Sequence, residues 1–160
     1  MNHSMNHSMT EPKEIFIMMV IMFIAGLLSS MNVWVDKVSD MRFHLNDIYM
    51  SLLMCSWCLI LMGIYYISIK ILIFGIIMTI IMIFVIRNQI FIGETQYLKG
   101  MIPHHSMAVL MSNKLFEKIN NNDETVNINT KKLMKNIIDS QNDEIKFMKL
   151  TLDYKNMKML

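Results

Sequence analysis

Residues Ile15–Val35 read IFIMMVIMFIAGLLSSMNVWV, without one charged side chain. A helix rises about 1.5 Å per residue, so about 20 such residues cross a hydrocarbon core of about 30 Å. The stretch therefore predicts a membrane-spanning helix over 15–35. A cleaved secretory leader is the competing reading, since Lys13 precedes the run and Ala25, Gly26, Ser29 and Ser30 lie towards its end. The run is long for a leader core and no small-x-small site closes it, so the span is preferred.

Outward from this stretch, Asp36–Asp47 (DKVSDMRFHLND) is polar and mixed in charge, hence an extramembrane loop. Ile48–Ile69 (IYMSLLMCSWCLILMGIYYISI) is again uncharged and reads as a second span, with Trp57, Tyr65 and Tyr66 suited to an interface or to packing. After Lys70 alone, Ile71–Ile86 (ILIFGIIMTIIMIFVI) is a third span, closed by Arg87, whose long stem lets its charge reach the interface. The membrane region is thus 15–87, with helices over 15–35, 48–69 and 71–86, behind a Met/His-rich tail over 1–14. Spans two and three form a tight hairpin.

Composition agrees with a membrane class. The chain is 54% hydrophobic and only 18% charged, with a mean hydropathy of +0.38, too apolar for an ordinary soluble domain of its 160 residues. A formal net charge of +2 offers no polyanion surface, so no nucleic-acid partner is expected. Cys55 and Cys58 cannot build a disulfide framework. The spans carry no charge of their own, which argues against an ion path through this chain alone.

From Asn88 onward, Lys, Asp, Glu and Asn return and apolar residues recur at helical spacing, so a water-exposed domain is expected over 88–160. One helical pattern runs Thr95–Lys118, Asn120–Asp123 (NNND) breaks it, and Asn129 can N-cap a second that runs to about Asp153. The fold class is therefore all-α: three transmembrane helices followed by an antiparallel helical hairpin. Pro103 marks either a helix start or a kink.

The chemistry sits on this hairpin. On its first helix Met101, His104, His105, Ala108 and Met111 recur every three or four residues, along one stripe. On the second, Ile137, Gln141, Glu144 and Met148 do the same. A face that only packed a core would be Leu, Ile or Ala, because burying an unpaired Gln or Glu costs about 1–3 kcal/mol. Glu144 or Gln141 can instead accept an imidazole N–H, fix its tautomer and leave the other nitrogen for a metal. Imidazole with thioether favours copper, with zinc second, over the oxygen-preferring Mg²⁺, Ca²⁺ or Mn²⁺. The ligand candidates are Met101, His104, His105, Met111 and Met148, backed by Gln141 and Glu144. A self-satisfied His-Glu-Gln network without metal is the alternative. Most of the 20 methionines are packing or lipid-facing side chains.

Tyr97–Ser112 (YLKGMIPHHSMAVLMS) followed by Ile137–Met148 (IIDSQNDEIKFM) resembles the domain of unknown function 305 family, which pairs Met-Ile-Pro-His-His with a later Gln-x-x-Glu-Ile-x-x-Met. The resemblance covers most of Gln89–Asp153. It implies a ferritin-like helical domain, with some members linked to copper binding and tolerance outside the cytoplasm, and the membrane half resembles a subgroup in which three spans precede the domain. Ser106 and Met107 stand where the family often has Gln-Gly. A di-iron oxidase is the enzymatic competitor, but none of Glu94, Glu117 and Glu144 is followed by His three residues later, so no enzyme is expected.

Two weaker clusters remain. Met1–Met9 (MNHSMNHSM) repeats an Asn-His-Ser-Met unit and sets His3 and His7 among thioethers, as a copper collector or a chance low-complexity tail. Cys55 and Cys58 form C-S-W-C within the second span, as Cu(I) ligands or as small packing residues. Met41 and His44 add a ligand pair only if the first loop folds back. Lys13 and Lys70 on one side against Lys37, Arg42 and Arg87 on the other favour a cytoplasmic domain by one cation. The resemblance favours the opposite, and we expect a bacterial inner-membrane protein with an extracytoplasmic C-terminal domain. The expected function is copper sequestration, handover or tolerance, with the bilayer, the metal ion and further copies as partners; a structural or interaction module is the alternative.

Overall fold

The structure is a computed structural model that describes residues 12–121 and 125–158. Those residues hold five α-helices and no strand: α1 Pro12–Leu28, α2 Leu45–Tyr65, α3 Ile69–Arg87, α4 Glu94–Asn120 and α5 Ile128–Lys158. They divide into two compact units, one of 12–29 with 46–90 and one of 30–45 with 91–158.

The first unit holds three helices long and apolar enough to cross a membrane. Their boundaries differ from the sequence reading where polar side chains intervene. The α1 helix stops at Leu28, and Met31–Trp34 form a separate 3-10 turn in the second unit. The reason is Asn32: its Nδ2 donates to the Arg42 carbonyl at 3.1 Å and its Oδ1 accepts from the Arg42 N–H at 2.8 Å. That pairing fixes a loop rather than extending a span.

The α2–α3 turn is as short as expected. The Ser68 N–H returns to the Gly63 carbonyl at 2.9 Å and the Ile67 N–H to the Ile64 carbonyl at 3.2 Å, a Schellman closure that places Ile67 in the left-handed region at φ 53°. A β-branched residue is an unusual occupant of that region. Two glycines let the helices meet: a Cβ on Gly63 would lie 2.6 Å from the Leu72 backbone, and one on Gly75 2.8 Å from the Ile60 nitrogen. Thr79 Oγ1 then reaches Ser56 Oγ at 2.8 Å, a buried bond between the two helices. Small residues and hydroxyls are what helix pairs need where lipid removes the hydrophobic incentive to associate.

The second unit is the α4/α5 hairpin with the 30–45 segment laid on α4. Its core is Leu98, Ile102, Val109, Ile145, Met148 and Leu152. Two polar pairs fix the antiparallel register: Glu94 with Lys155, and His105 with Glu144. Each partner is eleven residues from the next along its helix (105 − 94 and 155 − 144), about three turns, so both pairs lie along one seam. Pro103 is not a helix start: it is buried inside α4, nine residues past Glu94. The start of α5 is fixed by Asn127, not Asn129, because Asn127 Oδ1 accepts the Asn129 N–H at 2.8 Å.

Candidate functional site

The α4 stripe is broader than a single line. At about 100° per residue, His105 lies about 40° to one side of Met101, while His104 and Met111 lie about 60° and 80° to the other. The fold divides it accordingly. His105 turns to the α5 seam and keeps 13% of its side chain exposed, with Nδ1 2.8 Å from Glu144 Oε2. The oxygen is close but off the line of an Nδ1–H, so the contact is electrostatic more than a directed hydrogen bond. His104 faces solvent, and the two ring centroids are 6.0 Å apart. Met111 is 58% exposed, whereas Met148 is buried in the core and Met101 packs on it. Gln141 is half-buried.

Burial pushes the His105 pKa down, Glu144 opposes this, and the neighbouring His104 adds to it; the net direction is below the ordinary histidine value. The direction favours the neutral imidazole, the form that ligates metals. Among the described residues, no group of three or more His, Cys, Asp or Glu is placed to hold a metal ion. Of the predicted ligands, His104 and His105 are the imidazoles and Met101, Met111 and Met148 the thioethers. Cys55 is buried and Cys58 half-buried, both as free thiols, with Cys55 Sγ 3.5 Å from the Met19 carbonyl. His3 and His7 lie outside the described residues.

The first loop does fold back, and it separates the two residues considered there. Met41 is exposed, while His44 is buried with its ring 3.6 Å from the position of a Cβ on Gly100. Beside them is a polar cluster that the sequence did not single out. Asp40, 2% exposed, accepts from Ser106 Oγ at 2.6 Å and pairs with Lys149. Ser106 Oγ in turn accepts the Asp36 N–H at 2.8 Å, and Asn113 Nδ2 donates to Asp36 Oδ1 at 3.1 Å. The Leu45 N–H donates to Gln96 Oε1 at 3.0 Å. Burial acts to raise the Asp40 pKa, but the hydrogen bonds from Lys149 and Ser106 and the charges of Lys149 and Lys37 prevail and hold it below the ordinary carboxylate value. The one signal in the sequence was Ser106 itself, a small hydroxyl where the resembled pattern carries a larger amide.

Comparison with known proteins places this unit in a family. The family model described as "Domain of unknown function (DUF305)" matches residues 91–152. An uncharacterized protein of Acanthamoeba polyphaga mimivirus is 42% identical over 159 residues, covering 96% of this chain and 97% of its own. No solved structure matches the chain. The hairpin therefore carries a DUF305 domain over residues 91–152, and over nearly its whole length the chain belongs to one family with the viral relative.

Proposed function

We propose that this chain is an integral membrane protein, anchored by α1–α3, whose hairpin holds a soft metal ion, copper before zinc, for sequestration, handover or tolerance. The observation that carries the reading is the imidazole pair: His105 with Glu144 Oε2 2.8 Å from its Nδ1, and His104 open to solvent with its ring centroid 6.0 Å away. His104 and His105 are the nitrogen ligands, Met111 is the accessible thioether, and Met101 sits at the core edge. Met148 serves the core first. Bound copper would supply affinity and exchange, not catalysis, and no enzymatic role is assigned.

The membrane reading is supported by chain parity. The 30–45 segment and the hairpin belong to one unit, and two spans separate them in sequence, so both emerge on the same side of a bilayer. We assign that side as extracytoplasmic on the family resemblance. The resemblance points to a bacterial inner membrane, while the viral relative extends the reading to membranes of a virus or its host. Two long antiparallel helices are half of a ferritin-like bundle, and that kinship is part of the proposal, as is association of copies through the exposed apolar faces of α1 and α3.

The test is Cu(I) titration of the full chain in detergent. Tight binding, lost in the His104→Ala/His105→Ala variant, is the expected result; unchanged stoichiometry in that variant rejects the site. The second reading, a hairpin module that needs no metal, is favoured by the burial of Met148 in the core and by the Glu144 partner that His105 already has. It predicts no rise in thermal midpoint on adding copper, whereas a ion bound only by the folded state raises it.

A further inference from the structure

Past Asp143, the outer face of the last three turns of α5 is apolar where a soluble helix would be polar. Phe147, Leu150, Tyr154 and Met157 are 55–68% exposed. Their steps of three, four and three place them within about 80° of arc, roughly opposite the arc of Ile145, Met148 and Leu152 that packs the core. Beside this stripe an open cleft of about 470 Å³ is lined by the polar side chains of Lys37, Asp40, Asp143, Lys146 and Lys149 and by apolar Ile145 and Leu150. Asp40 is neutralised by Lys149, which leaves Lys37 and Lys146 against Asp143. Lys158 stands over the Tyr154 ring, 5.1 Å from its centroid, at the far end of the stripe.

We infer that this face of α5 docks on the surface of the bilayer, with the four apolar side chains at the acyl boundary and the lysine cleft taking an anionic phospholipid headgroup. An apolar helical stripe bordered by lysines is the pattern of a helix lying in a membrane interface. The chain supplies the proximity: the hairpin unit joins the three apolar helices at 29/30, 45/46 and 90/91, and only residues 88–93 separate α3 from α4. A tether that short converts docking into an intramolecular event. A second copy is the poorer occupant, because an antiparallel two-fold contact centred on this stripe would bring Lys146 of one copy towards Lys158 of the other. The inference rests on the membrane anchoring proposed above and not on the metal.

The experiment is spin-label accessibility of the full chain in nanodiscs, with Cys55→Ser and Cys58→Ser removing the native thiols. Labels are placed one at a time at Leu150→Cys, at Lys118→Cys at the exposed end of α4 as a water-exposed reference, and at Ile77→Cys on α3 as a lipid reference. In discs containing phosphatidylglycerol, the ratio of oxygen to nickel-chelate collisions at Leu150 is expected to exceed that at Lys118 several-fold. It should fall towards the Lys118 value in pure phosphatidylcholine discs or with Lys37→Gln/Lys146→Gln. A Leu150 label as accessible to nickel as Lys118 in the anionic discs, while Ile77 remains lipid-exposed, overturns the docking and leaves the anchoring intact. A water-accessible Ile77 overturns the anchoring and the docking with it. Spin–spin broadening at Leu150 that disappears on dilution with unlabelled chain assigns the face to a second copy and also overturns the inference.

Discussion

Ser106 Oγ donates to Asp40 Oδ2 at 2.6 Å while accepting the Asp36 N–H at 2.8 Å. One hydroxyl on the helix that carries His104 and His105 thereby fastens two points of the segment between the first two apolar helices. The hairpin is consequently a three-part structure, two helices and a strap, and the strap shares α4 with the imidazoles.

Ser106→Ala removes the hydroxyl and leaves the Asp40 carboxylate and the Asp36 N–H each short of a partner. Buried polar atoms left in this way cost about 1–3 kcal/mol. Denaturant unfolding of the full chain in detergent should register that loss, whereas a substitution at exposed Ser140 should register none. Equal stability of the two variants would show that the strap does not depend on Ser106.

Lys149→Met strips buried Asp40 of its counter-ion. Leaving one member of a buried pair uncompensated costs about 3–5 kcal/mol, and the lower end applies because Lys149 is 26% exposed. Adding Asp40→Asn should recover part of the loss. A double variant as unstable as the sum of its singles would mean that the two residues are not coupled.

The pH dependence follows from the two depressed pKa values. His105 titrates below its ordinary value of about 6.5 when folded, so it contributes stability that is present above that pH and lost as the pH falls through the folded value. Asp40 is also depressed; its contribution is present above about 3.9 and lost only further into acid. Thermal midpoints measured between pH 8 and pH 5 should decline on the acid side in the parent chain and stay flat in His105→Gln. A parallel decline in the variant would assign the effect elsewhere.

Gly63→Ala would place a methyl group 2.6 Å from the Leu72 backbone, which cannot yield as a side chain can. Overpacking of this sort costs about 1–3 kcal/mol, and α2 and α3 should separate at lower denaturant. Gly93→Ala is the control, since nothing lies within 4 Å of its Cβ. Unfolding of the two variants at the same denaturant concentration would contradict the close approach.

Much of this protein is written in short-range pattern. Three uncharged runs determined three long apolar helices, and recurrence at three and four residues determined α4 and α5, because both signals belong to a helix's own period. The same period set Glu144 on a face that could meet His105. What the sequence could not fix was which side of a broad stripe each residue would take: His105 on the seam and His104 in solvent follow from where α5 packs. Nor could it show that Asn32 would leave the first apolar run to hold Arg42, or that Asp40, Ser106 and Lys149 would meet. Those three residues are separated by more than forty positions each, and no local periodicity links them. Only the closure of the strap onto α4 brings them together, because a buried carboxylate must find its donors wherever the fold provides them.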